Sequence, residues 1–232
     1  MTKLTLCTHF YNGIDGLNQQ LSEWRKLSPK SKELIEILLV DDYSSEKYVI
    51  DCDDLPIRLF RVTTDINWNM AGCKNLLKLQ AKSNWMLFFD IDNYALSEEL
   101  DLLIQNINKL DENNVYMFPR IHNGEFVDPH INTFLVSRIA LDKFNGFDED
   151  FCGNYGFEDV IFHNQVIKYG FNRVLLESVK FYQHSARTND LNRDLFINQN
   201  LIQSKAKLGF PNPSNSIRFE WHEIQKCFTN HE

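Results

Sequence analysis

An alternation of short apolar runs with helical spacing constrains this chain most. The runs are LTLCT at 4–8, EILLVDD at 36–42, IRLFRV at 57–62, WMLFFD at 85–90 and VYMFP at 115–119. Between them, helical spacing covers 16–27, 71–82 and 97–110, with a short helix expected after the second run. Strands and helices in turn predict a parallel sheet flanked by helices, because parallel neighbours need a crossover long enough to hold one. Runs such as ILLV and MLFF are apolar at consecutive positions, and hence on both faces, as in a sheet covered on both sides.

The second half is less regular. It offers a strand at 131–137, the loop GFDEDFCGNYGFED, a helix at 158–169 and a strand near 173–182. The polar stretch SARTNDLNRD, a helix to about 208 and the turn PNPSNS at 211–216 follow. No repeat or composition shift divides the chain, so a single α/β domain is expected over 1–232. At 43% hydrophobic residues, it has enough apolar material for a large core.

A net charge of -8, with no block of Lys or Arg, argues against nucleic acid as a partner. An anionic ligand would therefore need a metal ion or a local basic pocket. Five scattered cysteines show neither disulfide-scaffold nor zinc spacing, which predicts a reducing compartment. The start MTKLTLCTHFYN lacks a signal-type apolar region, and no run reaches the roughly 18 apolar residues of a membrane span. A cytoplasmic protein without an integral membrane segment is expected; its oligomeric state is not legible.

In WMLFFDIDN, Asp90 and Asp92 stand two apart. On a strand both would point to one face and converge on a cation. Ligands of open α/β sheets sit beyond the carboxyl ends of the strands, so residues 8–12, Asp41, Asp42 and Asp90–Asp92 would line one crevice. Aspartates after strands also start turns and cap helices, an alternative open for Asp41 and Asp42.

Taken in order, LTLCTHFYN, LLVDDYSS, NMAGCKN at 69–75 and FFDIDN resemble the GT-A glycosyltransferases, family 2-like, over roughly 3–185. The resemblance implies a Rossmann-like, mostly parallel sheet, with a nucleotide-binding half at 1–93, an acceptor and catalytic half at 94–210 and a tail at 211–232. It implies that Thr8, His9, Phe10 and Tyr11 meet the nucleotide and that Asp42 meets uracil. Asp65, Asn69, Lys74, Asp90, Ile91 and Arg187 would complete the donor site, with Arg187 clamping the diphosphate from a closing segment. Asp92, Asp90 and His184 would hold Mn2+ or Mg2+. Lys74 departs from the arginine of many relatives and keeps the charge without the bidentate fork.

The stretch GFDEDFCGNYGFEDVIF at 146–162 is similar to the G-F-x-x-x-F-x-G-x-G-x-E-D segment of galactosyltransferase-like and chondroitin-polymerase-like enzymes. It implies Asp159 as general base and Glu158 as a hydroxyl-binding partner, with Phe147, Phe151, Tyr155 and Phe157 walling the sugar. Arg120 is read as facing the sugar, while His130, His163 and His222 are read as structural or surface residues. The tail around Phe219 and Trp221 is expected to pack on the core or cover the acceptor. These pieces imply a metal-dependent inverting transferase that moves a hexose or hexuronate from a UDP-sugar to a glycan or glycolipid hydroxyl. Two competitors are a D-x-D phosphohydrolase and a non-catalytic carbohydrate-binding protein on the same scaffold.

Overall fold

The computed structural model describes residues 2–184, 191–214 and 217–227. The first half runs β1 (Leu4–Phe10), α1 (Ile14–Arg25), α2 (Pro29–Lys32), β2 (Ile35–Asp41), β3 (Ile57–Val62), α3 (Met70–Gln80), β4 (Trp85–Phe88), β5 (Asn93–Tyr94) and α4 (Ser97–Asn106). After it come β6 (Asn114–Met117), β7 (Arg120–His122), β8 (Glu125–Val127), β9 (Phe134–Ser137), α5 (Arg138–Lys143) and α6 (Glu158–Lys168). The chain ends with β10 (Asn172–Leu175), β11 (Phe181–Gln183), α7 (Phe196–Lys207) and β12 (Trp221–Lys226).

Among the described residues, eight strands form one sheet in the order β10-β6-β9-β4-β1-β2-β3-β12. The block β4-β1-β2-β3 is parallel, as the alternation predicts. Side chains two apart share a face, so each buried strand feeds both cores. Ile37 and Leu39 of β2 join one apolar cluster with Leu17 and Trp24 of α1; Leu38 and Val40 join the other with Leu76 and Leu77 of α3.

The sheet is more mixed than expected. β9 runs antiparallel between β4 and β6, and β12 runs antiparallel along β3. The direction of β9 matters for the site. Because Phe134 pairs with Phe88, the chain entering β9 arrives at the same edge where β4 ends. A second, four-stranded sheet, β5-β11-β7-β8, packs beside that edge.

Several expectations are corrected. No helix follows β2; the short helix α2 precedes it, and the chain after Asp42 is a loop held by Asn12, whose side-chain oxygen accepts the backbone N–H of Ser45 and Glu46. The run expected as one strand near 173–182 is two strands, β10 and β11, in different sheets. The tail packs on the core as an edge strand, with the Trp221 ring edge-on to Phe60. Cys52 and Cys227, 175 residues apart, form a disulfide that fastens this strand to the β2–β3 loop, so the step from cysteine spacing to a reducing compartment does not hold. Among the described residues no helix is long and apolar enough to cross a membrane.

Candidate active site

The carboxyl ends of β1, β2 and β4, the entry to β9 and the start of α6 surround a cleft of about 760 Å³. Of the residues singled out from sequence, His9, Phe10, Tyr11, Asp42, Asp65, Asp90, Ile91, Asp92, Glu158 and Asp159 line it together. Residues some 150 positions apart thus share one wall, as the strand-end argument requires.

The acid pair reaches the cleft by a different local structure from the one expected. β4 stops at Phe88, and Asp90 to Asn93 form a turn closed by Asn93 N–H donating to Asp90 O at 2.9 Å. Strand alternation therefore does not aim the two carboxylates; the turn does. One oxygen of Asp90, Oδ1, is buried without a hydrogen-bond partner among the described residues, and Oδ2 lies 3.7 Å from His130 Nδ1. Burial pushes the Asp90 carboxyl up, but His130, Lys74 and His9 outweigh it and hold the pKa below its ordinary value. Asp92 goes the other way, raised by burial and then by the charge of Asp90. Two neighbouring carboxylates in mutual repulsion, one with an orphaned oxygen, suit a divalent cation that would relieve both.

The turn rests on helix α1. A Cβ built on Gly16 would stand 2.6 Å from the backbone oxygen of Ile91, the residue between the acids. Backbone cannot step aside as a side-chain tip can, so Gly16→Ala is expected to shift the turn and cost roughly 1–3 kcal/mol of stability. Thermal unfolding of the variant measures the cost, and an unchanged midpoint would contradict this packing.

Adjacent Asp41 and Asp42 have separate jobs. Asp41 is fully buried and accepts from Tyr48 Oη at 2.6 Å, Ser44 N at 2.7 Å and the Arg61 guanidinium, so it is the turn former. Asp42 faces the cleft and accepts from Asn69 Nδ2 at 3.1 Å. Burial pushes its pKa up to about 6 from 3.8. A carboxyl whose folded pKa is raised favours folding below the unfolded value and loses that advantage as pH climbs to the folded one. Asp42→Asn is therefore expected to gain stability over the parent between pH 4 and 6, reaching about 2–3 kcal/mol above pH 6. Denaturant unfolding at pH 4 and pH 7.5 tests this; a gap that stays constant with pH would refute it.

Four residues expected at the donor site or metal do not line the cleft. Thr8 is buried and donates to Phe89 O at 2.8 Å, bracing β1 against the end of β4. Asn69 is buried behind Asp42. Lys74 is 2% exposed, its ammonium donating to Asn132 Oδ1 at 2.5 Å beneath the cleft floor, so it acts on the acids through its field rather than by contact with a ligand. His184 meets the acid turn through its backbone, donating to Asp92 O at 2.7 Å. Among the described residues no three His, Cys, Asp or Glu side chains gather closely enough to hold a metal, so Asp90, Asp92 and His184 are not a preformed triad. Arg187 lies outside the described residues.

Of the four aromatics read as walling the sugar, Tyr155 lines the cleft, Phe147 and Phe151 are buried in the fold and Phe157 is not in the lining. Two further readings change. Arg120 turns from the cleft, donating to Asp128 O at 2.9 Å and Gln183 Oε1 at 3.0 Å. His130, read as structural or surface, lines the cleft beside Asp90, whereas His163 is a buried structural histidine bonded to Ile131 O. Trp68, Asn132, Asn192, Arg193 and Ile197 also line the cleft and carried no sequence signal of their own.

Glu158 and Asp159 open α6 directly after Phe157, which sits in the left-handed region at φ 71°. Glu158 is buried; burial raises its pKa against the opposing pull of Lys74, and Asp159 raises it further. Asp159 is more open, and its Oδ1 accepts from Val160 N at 2.6 Å.

An open α/β sheet with acids gathered at its carboxyl edge is the GT-A glycosyltransferase architecture. The family profile "Glycosyl transferase family 2" matches residues 5–176, and the chain belongs to that family. Solved structures share the fold at low identity. S. aureus TarS 1–349 in complex with UDP-GlcNAc is 18% identical with a TM-score of 0.66, over 81% of this chain and 60% of that one. The mannosyltransferase PcManGT from Pyrobaculum calidifontis, in complex with GDP-Man and Mn2+, is 13% identical with a TM-score of 0.61, over 81% and 58%. The chain thus spans about 60% of the length of TarS 1–349. Comparison with curated protein sequences gave no match.

Proposed function

We propose that this chain transfers a hexose or hexuronate from a UDP-sugar to a hydroxyl of a glycan or glycolipid acceptor, with inversion and with help from Mn2+ or Mg2+. The observation that carries the reading is the charge of the cleft. Among its described lining residues are seven carboxylates, Asp42, Asp65, Asp90, Asp92, Glu158, Asp159 and Asp194, against one arginine, Arg193. A diphosphate enters such a cleft only with a cation. The nucleotide-sugar and Mn2+ complexes of the structural neighbours support the same view.

Asp90 and Asp92 would hold the metal, a hard cation that takes carboxylate oxygens. When bound, it would neutralise the charge that grows on the departing diphosphate. The end of β1 and Asp42 hold the nucleotide. Asp159 takes the proton from the acceptor hydroxyl as its oxygen bonds to the anomeric carbon and the bond to UDP breaks. One displacement by one base inverts that carbon once. Glu158 binds a sugar hydroxyl. Lys74 sustains the ionised acids from below the floor.

A UDP-release screen over UDP-glucose, UDP-galactose, UDP-glucuronate and UDP-N-acetylglucosamine, with Mn2+, Mg2+ or chelator, tests the reading. Release from at least one donor, abolished by chelator, is expected. Phosphate release without any acceptor would point instead to a phosphohydrolase.

A further inference from the structure

Trp68 comes from the β3–α3 connection, Tyr155 from the loop before α6 and Asn192 from the segment before α7, yet they meet on one wall of the cleft. The Trp68 and Tyr155 rings lie 4.5 Å apart between centroids, tilted by 53°. The indole N–H donates to Asn192 O at 2.8 Å. Gly153 N–H donates to Asn67 O at 2.7 Å, tying the first two segments together next to the rings.

Trp68 holds this place under strain. Its φ of 52° is a left-handed conformation unfavourable for a bulky residue, and Gly or Asn would adopt it more easily. The residue belongs to neither apolar core cluster, so core packing does not account for a tryptophan there. What the side chain supplies is an apolar surface inside a cleft otherwise rich in carboxylates. With the Arg193 guanidinium 5.9 Å from the Tyr155 centroid, a fitting occupant has a flat apolar face and carries hydroxyls at its rim for Glu158 and Asp159. A pyranose has these features: its axial C–H bonds, polarised by the ring oxygens, face the negative side of an aromatic ring.

We propose that Trp68 and Tyr155 form a stacking platform for a pyranose ring. The inference deepens the glycosyltransferase reading and rests on it. Donor sugar and acceptor sugar present the same C–H face, so the ring's source is what experiment must separate. Uracil, the other flat ring a donor brings, is the rival occupant.

The test compares the parent protein with Trp68→Asn, which suits the left-handed backbone and removes the ring, and Trp68→Phe, which keeps a ring and removes the bond to Asn192. Calorimetric titrations with Mn2+ use UDP, UDP-glucose and UDP-N-acetylglucosamine, then methyl glucoside and methyl galactoside in the presence of UDP. Trp68→Asn is expected to bind UDP within about twofold of the parent while losing at least about tenfold for a pyranose ligand, and Trp68→Phe is expected to recover most of that loss. Loss confined to the UDP-sugars assigns the donor ring; loss confined to the glycosides assigns the acceptor ring. Equal loss for UDP and UDP-sugars, or no loss for any pyranose ligand, overturns the platform. Failure of the parent to bind UDP at all sinks the nucleotide-sugar reading and the platform with it.

Discussion

Asp159→Asn is expected to bind UDP-sugar as well as the parent and to transfer it about 10²–10⁴-fold more slowly, the usual worth of a positioned general base. Asn is the informative substitution because it keeps an oxygen for the Val160 N–H that Asp159 Oδ1 accepts at 2.6 Å, leaving the start of α6 intact. Charge and proton affinity are all that change. Comparing kcat with the donor dissociation constant therefore separates a base from a structural carboxylate. A variant with near-parental kcat would remove Asp159 from the chemistry and leave the inverting assignment without its base.

Asp92→Asn is expected to act in opposite directions on binding and on stability. Changing the partner of a metal ligand already costs about 10–100-fold in metal affinity, so losing a direct carboxylate should cost about 100-fold or more in metal-dependent UDP binding. Without ligand, the same change removes a charge whose burial, and then whose repulsion by Asp90, raises the Asp92 pKa. The variant should thus unfold at a higher temperature than the parent in chelator, and the advantage should shrink as Mn2+ and UDP stabilise only the parent. A residue kept at a cost to the free fold is one kept for a ligand. Matching unfolding curves in both conditions would show that Asp92 plays no such part.

The parallel half of the fold was legible because burial on both faces leaves a local mark: ILLV and MLFF need no partner to be read as covered strands. The direction of β9 left no such mark. Phe134–Ser137 is apolar whichever way it runs, and only its pairing with β4 and β6 fixes the sense. That pairing brings His130 and Asn132 to the site, which is why neither could be identified from its own neighbours in the chain. Lys74 illustrates the reverse. Its place in a resemblance suggested ligand contact, but the helix buries it, and burial of a single lysine is settled by tertiary packing around Asn132. Trp68 and the Cys52–Cys227 bond likewise depend on contacts across more than eighty residues. The acid pair reaches the cleft through a turn rather than through strand alternation, and a turn of this kind leaves no periodic mark in the sequence.

Binding of UDP to the parent protein, titrated calorimetrically in Mn2+ and again in chelator, bears most directly on whether Asp90 and Asp92 serve a cation between protein and diphosphate. Binding in Mn2+ is expected to fall by at least about 100-fold in chelator, with Asp92→Asn indifferent to the metal. Equal affinity in both conditions would contradict it.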